Sequence, residues 1–263
     1  QLVQQGVREL ILVAQDSTAY GSDLPRGSAN LELLLRALDG VEGLHRIRVH
    51  YAYPSMIYPP LAEAMAELPR VTPYIDMPIQ HVDDDLLRRM RRGYTGARAK
   101  EAVEQLRAQI PGLWVRTTML VGHPGETAEG HRALLRFVEE TRIEHLGAFV
   151  FSPEDGTASV EQPDPVAPEL AEERRAELLE LQQAISRERL RELEGQTLEV
   201  MIDGISEESE FLLVGRHAGQ SPEIDGHVIL ADAEGQAGDV ILAEVQDSAD
   251  YDLVARATTP PTP

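Results

Sequence analysis

The chain has 263 residues, 45 acidic against 24 basic side chains, no cysteine and a hydrophobic fraction of 42%. That balance gives one or two domains with a core, and no apolar run is long enough for a membrane span. Residues 1–25 lack the basic-then-apolar order of a signal peptide, so a cytoplasmic setting without membrane contact is expected. Without cysteine these residues hold no disulfide, thiolate nucleophile, zinc ribbon or cysteine-ligated iron–sulfur cluster, and a net charge of −21 disfavours a polyanionic partner over a basic one.

Leu2 and Val3 run into Gly6, the residue type usual just past a helix C-terminus, and residue 1 is Gln. The chain is therefore expected to start inside a helix, with an N-terminal part of the natural protein preceding it. From Val7 to about Gly156, β-rich runs alternate with segments of helical period, the pattern of βα units around a parallel sheet. Strands are expected at Glu9–Ala14, Arg46–Tyr51, Val71–Asp76, Leu113–Val121 and His145–Phe151. Asn30 caps one helix, Pro59 and Pro60 open another, and Asp83–Arg92, Thr95–Gln109 and Thr127–Thr141 read as three more. An amphipathic helix follows from about Pro168 to Leu193, as a strap or connector.

After Gly195 the pattern becomes alternating: Leu198, Val200 and Ile202, then Phe211–Val214, Val228–Leu230 and Val240–Val245, with Gly-rich turns between. This predicts a small β-barrel or sandwich. It carries 14 carboxylates against Arg216 and Arg256, a net of −12, and residues 259–263 form a Pro/Thr-rich tail expected to be disordered.

Parallel α/β folds place their chemistry at the carboxyl ends of the strands. Those ends are polar here: Gln15-Asp16-Ser17-Thr18, His50-Tyr51-Ala52-Tyr53, Asp76 to His81, Gly122-His123-Pro124-Gly125-Glu126-Thr127 and Ser152-Pro153-Glu154-Asp155. One concave mouth is expected to hold Gln15, Asp76, Gln80, Arg116, Gly122 and Ser152. The glycines of the fourth loop either let a ligand approach a helix N-terminus or make a tight βα turn with Thr127 as cap. Arg116, inside an otherwise apolar strand, either clamps a carboxylate ligand or pairs with a neighbour such as Asp76. His50, Asp76, His81, His123 and Glu126 allow a metal site, but no H-x-H or H-E-x-x-H spacing supports it. Neither Ser17 nor Ser152 sits in a G-x-S-x-G elbow, and Arg88, Arg89, Arg91 and Arg92 read as a solvated helix face.

Leu12 to Gly21, Tyr74 to His81, Met90-Arg91-Arg92, Arg116 to Thr127 and Ser152 to Thr157, in this order, resemble the radical S-adenosylmethionine methylthiotransferases. Gln15-Asp16-Ser17-Thr18, Ser221 to Gly226 and Asp250 to Leu253 resemble the RimO type, which modifies an aspartate of a ribosomal protein. The resemblance implies an α/β fold: a partial (β/α) barrel of the radical SAM type over 1–194, followed by a small all-β TRAM barrel over 195–258. It implies S-adenosylmethionine near Gln15 and Asp16 (methionine amino group), Gln80 (ribose) and Gly122, Gly125 and Glu126 (adenine); the strand-end reading adds Arg116 and Ser152 to the same site. It also implies 4Fe–4S clusters on cysteines that this chain lacks, so the chain is expected to be an inactive C-terminal portion of the enzyme. The implied activity adds a methylthio group to the β-carbon of an aspartate in a basic small-subunit ribosomal protein. A tRNA-modifying relative would carry a basic TRAM unit; a non-catalytic binding module and a metal-dependent hydrolase are the readings from other classes.

Overall fold

A computed structural model of the chain describes residues 1–258 except Arg26, Asp155, Ala158, Val160, Glu161 and Glu208; the expected disorder of 259–263 lies outside the described residues. The first unit is a parallel sheet of β1 (Glu9–Leu12), β2 (Arg46–Val49), β3 (Val71–Asp76), β4 (Trp114–Val121) and β5 (His145–Val150), paired in chain order. Because the order never reverses, the sheet curls like part of a barrel and leaves β1 and β5 as edges.

The connecting helices start where the sequence supplies caps. Asn30 opens α1 (Leu31–Asp39), and α2 (Pro59–Glu67) begins with proline at its first turn. Asp83, Thr95 and Thr127 cap α3 (Asp84–Arg89), α4 (Gly96–Gln109) and α5 (Ala128–Thr141). In β4 burial alternates strictly: Val115, Thr117, Met119 and Val121 face the helices, while Trp114, Arg116, Thr118 and Leu120 face the concave side. Ile47, Val49, Ile75, Leu146 and Ala148 complete the helix-side core with Leu35, Leu61, Leu106 and Leu134.

The long helix α6 (Pro168–Arg191) buries Ala171, Arg174, Leu178, Gln182, Ile185 and Leu190, a stripe at helical spacing. Leu170, an apolar residue of this helix, is exposed, while polar Arg174 and Gln182 lie in the buried stripe and are held there by hydrogen bonds. Leu190 belongs to a second core, with Val200, Ile202, Val228, Leu230, Ile241 and Val245. That core fills a closed barrel of β6 (Thr197–Ile205), β7 (Leu213–Arg216), β8 (Val228–Ala231), β9 (Val240–Ser248) and β10 (Leu253–Ala257), in the order β10-β8-β7-β6-β9. The closing strand, β10, was not among the strands expected from sequence. Among the described residues no helix is long and apolar enough to cross a membrane.

Candidate functional site

The two ends of the concave face differ completely. At the carboxyl ends of the strands, Asp16 caps a short turn at Ser17–Ala19, accepting from the Thr18 amide at 3.0 Å and from the Thr18 hydroxyl. Thr18 Oγ1 in turn accepts from the Tyr53 amide at 3.2 Å, which ties the end of β1 to that of β2. Asp76 Oδ2 accepts from the Tyr51 amide at 3.2 Å, and burial pushes its carboxyl above the usual range. Gln80 has φ of +68° and bridges to Met119; its amide donates to Thr118 O at 2.8 Å and its carbonyl accepts from Leu120 N at 2.7 Å. β3 is thereby prolonged along β4, and Gln80 comes to the rim.

Three adjoining cavities run along this rim. The first, about 260 Å³, is lined by Gln15, Tyr51, Ala52, Tyr53, Pro78, Gln80 and Arg92. A second, about 350 Å³, shares Gln80 and Arg92 and adds Arg89, Met90, Arg91, Leu120, His123, Phe151, Ser159 and Gln162. The third, about 270 Å³, shares Phe151, Ser159 and Gln162 and is otherwise mostly apolar, with Gly122, Pro124, Val150, Pro153, Pro165 and Ala171 on its walls. The trough is polar and cationic at the β1–β3 end and apolar at the β4–β5 end, the shape and polarity of a site for an elongated, amphiphilic small molecule.

The glycine loop is a closed turn. Gly122 N donates to Glu126 Oε2 at 2.5 Å, Gly125 N to Asp164 O at 2.7 Å, and Thr127 Oγ1 accepts from Gly130 N at 3.0 Å. Gly122, at φ +76°, faces Ala171 so closely that a Cβ there would sit 2.5 Å from the alanine methyl. Glu126 is fully buried and also accepts from Arg174 Nη1 at 2.9 Å, with His81 Nε2 at 3.4 Å. Burial acts to raise its pKa, but His81, the Gly122 amide and Arg174 together hold it below the usual carboxylate range. Its carboxylate is directed into the fold, toward α6, and not into the trough.

Of the residues expected at the mouth, Gln15, Gln80 and Gly122 line the trough. Asp16 and Gly125 stand beside it, Gly125 beneath the Arg89 side chain. Ser152 is exposed and lines none of the three cavities. Arg116 is not in this mouth. It sits near the start of β4, where Nη1 donates to Asp225 Oδ1 of the second barrel at 2.6 Å, so of its two readings it is the pairing within the protein that holds, with Asp225 as the partner in place of Asp76. The five residues that allow a metal site, which the spacing did not support, do not converge on one point: His50 meets Ser221, Asp76 meets Tyr51, His123 meets Pro124 O, and His81 meets Glu126 at 3.4 Å. No group of three candidate ligands assembles among the described residues.

The amino ends of the strands are plugged by the second barrel. Glu9 lies between Arg48 at 2.9 Å and Arg216 at 2.8 Å, and Arg216 grips Asp203 with two nitrogens at 2.8 and 2.9 Å. Arg46 and Arg48 donate to the carbonyls of Arg216 and Ala218, each at 2.9 Å, and Arg48 stacks 4.4 Å above the Tyr74 ring. Asp225, with a fully buried side chain, accepts from Arg116, from Tyr74 OH at 2.8 Å and from Ser221 N at 2.8 Å. Burial opposes its charge, but His145 and Arg116 hold its carboxyl below the usual range. Sequence reasoning did not identify this network; the period-two run Arg46, Arg48, His50 is the signal that a charged strand face requires buried partners.

Residues 1–138 match the radical SAM superfamily and residues 195–258 the TRAM domain. The chain is 47% identical over 253 residues to a ribosomal protein uS12 methylthiotransferase RimO of Anaeromyxobacter sp. (strain Fw109-5), covering 96% of the chain and 54% of that protein. It is 47% identical over 263 residues to the protein of that name from Myxococcus xanthus (strain DK1622), covering all of the chain and 55% of that protein. The chain thus spans about half the length of these relatives. In fold it is similar to Escherichia coli coproporphyrinogen III oxidase (HemN), at TM-score 0.53 and 13% identity over 92% of this chain and 55% of that one.

Proposed function

The chain belongs to the radical SAM superfamily, and from that membership we propose that it supplies the S-adenosylmethionine-binding barrel and the TRAM barrel of a methylthiotransferase acting on ribosomal protein uS12 in the cytoplasm. The single observation that carries this reading is the trough at the strand ends, polar at Gln15, Gln80 and Arg92 and apolar at Pro124, Val150 and Phe151. It suits a methionyl group at one end and an adenine at the other. In this reading S-adenosylmethionine supplies the group that reacts. Gln15 and Asp16 orient its amino group, Gln80 its ribose, and the Gly122–Gly125 turn walls the adenine end. The residues of this chain do not fit a 4Fe–4S cluster, since the sequence has no cysteine and the described residues offer no group of three other ligands. The chain alone therefore binds S-adenosylmethionine without cleaving it.

Charge supports a basic protein partner over tRNA. Glu207, Glu210, Glu234, Glu244 and Asp247 are exposed on the second barrel and take part in no ion pair among the described residues. Asp225 and Asp250 do not belong to this surface, being held by Arg116 and by Arg187. The 263-residue chain, immobilised, is expected to retain purified uS12 with an affinity that falls as salt rises, and not to retain tRNA. The triple substitution Glu210→Gln, Glu244→Gln, Asp247→Asn should weaken that retention. Retention of tRNA, or of uS12 without salt dependence, would refute the choice of partner.

A further inference from the structure

Left-handed backbone is uncommon in residues other than glycine, and for a bulky aromatic it is an outlier. Among the described residues seven non-glycine positions have positive φ, and three of them, Tyr51 at +56°, Gln80 at +68° and Arg91 at +57°, line the first two cavities of the trough. The Tyr51 backbone is pinned on both sides: its amide donates to Asp76 Oδ2 at 3.2 Å and its carbonyl accepts from Ser17 N at 3.0 Å. The side chain has no such ties. Among the described residues it makes no hydrogen bond, its one ring contact is edge-on to His50 at 6.4 Å, and Tyr51 is 45% exposed on the wall of the first cavity. Tyr53 on the same wall is held by the fold instead: its hydroxyl accepts from Gly93 N at 2.9 Å and its ring packs edge-on to Tyr94 at 5.0 Å. Backbone strain that presents a ring the fold does not use points to function.

Among the described residues no carboxylate lines the first cavity, and its one charged group is Arg92. Asp16 stands beside it with Oδ1 taken by the Thr18 amide and hydroxyl, and Asp76 is buried beneath the Tyr51 amide. A cation in this cavity therefore meets like charge on one wall. A sulfonium, which carries no N–H and donates no such hydrogen bond, finds its attraction in the π face of an aromatic ring. The proposed function brings a sulfonium to this place. Gln15 takes the methionyl amino group and Gln80 the ribose, both line the first cavity, and the sulfur is bonded to the methionyl chain on one side and to the ribose carbon on the other, so it falls between them. We infer that Tyr51 is the specificity-determining residue for the ligand's positive charge, its ring face selecting the sulfonium of S-adenosylmethionine over the neutral thioether of the same skeleton. The inference rests on the proposed function for the ligand and for its direction along the trough.

Calorimetry on the full chain, comparing S-adenosylmethionine with the thioether S-adenosylhomocysteine, tests this. A cation–π contact at a partly exposed ring corresponds to roughly a fivefold preference for the sulfonium. Tyr51→Phe, which keeps the ring and drops the hydroxyl, should retain that preference. Tyr51→Leu, which keeps apolar bulk against the extra methyl group but has no π face, should lose it. A merely structural role would weaken both ligands alike in Tyr51→Leu and leave their ratio where it was. Equal binding of the two ligands by the unaltered chain, a ratio that survives in Tyr51→Leu, or one that is lost in Tyr51→Phe, overturns the inference alone, because the trough still takes its ligand. Binding of neither ligand overturns it together with the proposed function.

Discussion

Asp225 is the acceptor on which four groups from four places in the chain converge: Arg116, Tyr74, the Ser221 amide and, at 3.5 Å, His145. Removing a fully buried carboxylate strands its donors, which costs more than the pair itself contributes. Asp225→Ala should therefore lower the unfolding free energy by about 3 kcal/mol, measured in urea. In the double variant with Arg116→Met part of the loss should return, because the uncompensated cation is gone; strict additivity would locate the cost elsewhere. The sequence made the need for an acceptor legible, since a lone arginine in an apolar strand requires one. It could not give the acceptor's identity, which lies 109 residues away on a surface that exists only once the second barrel is docked.

The β4-to-α5 turn and α6 meet at Gly122 and Ala171. Local chemistry marks the turn: two glycines at positive φ, Thr127 as cap and Glu126 folded back on Gly122. The contact that makes Gly122 obligatory comes instead from α6, 49 residues on in sequence. Gly122→Ala should cost roughly 1–3 kcal/mol from overpacking and backbone strain, and should speed hydrogen exchange at the start of α6. Adding Ala171→Gly should relieve the packing share, although the glycine itself weakens the helix by about 1 kcal/mol. No recovery of α6 protection in the double variant would mean the methyl contact is not the cause. The strands of the parallel sheet were legible to within one or two residues because hydrophobic runs and turn residues bracket them. β10 was not, as Leu253-Val254-Ala255-Arg256-Ala257 is short, alanine-rich and defined by pairing with β8 and β9.

The molecule is a half-open barrel whose one end is a ligand trough and whose other end is stoppered by a second barrel, and this division explains which polar residues are free for chemistry. Residues at the strand starts, Glu9, Arg46, Arg48, Arg116 and His145, are committed to the stopper; those past the strand ends, Gln15, Gln80 and Arg92, are not. The seam between the parallel sheet and the stopper also holds two neutral histidines, His50 against Ser221 and His217 against Trp114. Burial, followed by nearby Arg48, pushes His50 down to about 4, and burial, followed by His145, pushes His217 down to about 3, against an ordinary value of 6.5. A depressed value means that the unfolded chain binds protons first, so both contribute stability above pH 6.5 that is lost as pH falls toward 4. Each can remove at most about 1.4 kcal/mol per pH unit within that window. Glu9, Glu126 and Asp225, also depressed, weaken the fold only below their ordinary values of 4.5, 4.5 and 3.8, while Asp76, raised by burial, acts with the opposite sign and returns a little stability on protonation. The net expectation is a fall in the unfolding midpoint between pH 6.5 and 4.5 that begins at the seam. Trp114, the single tryptophan, reports it directly, stacked 5.3 Å from the His145 ring and edge-on to that of His217 at 4.8 Å. Its fluorescence should shift to the red across this window, ahead of the loss of secondary structure by circular dichroism. In His217→Phe, which keeps the ring and removes the titrating group, the fall should become shallower. A midpoint that is flat or rises toward pH 4.5, or a slope that His217→Phe leaves unchanged, would show that the seam is not where the molecule takes up these protons.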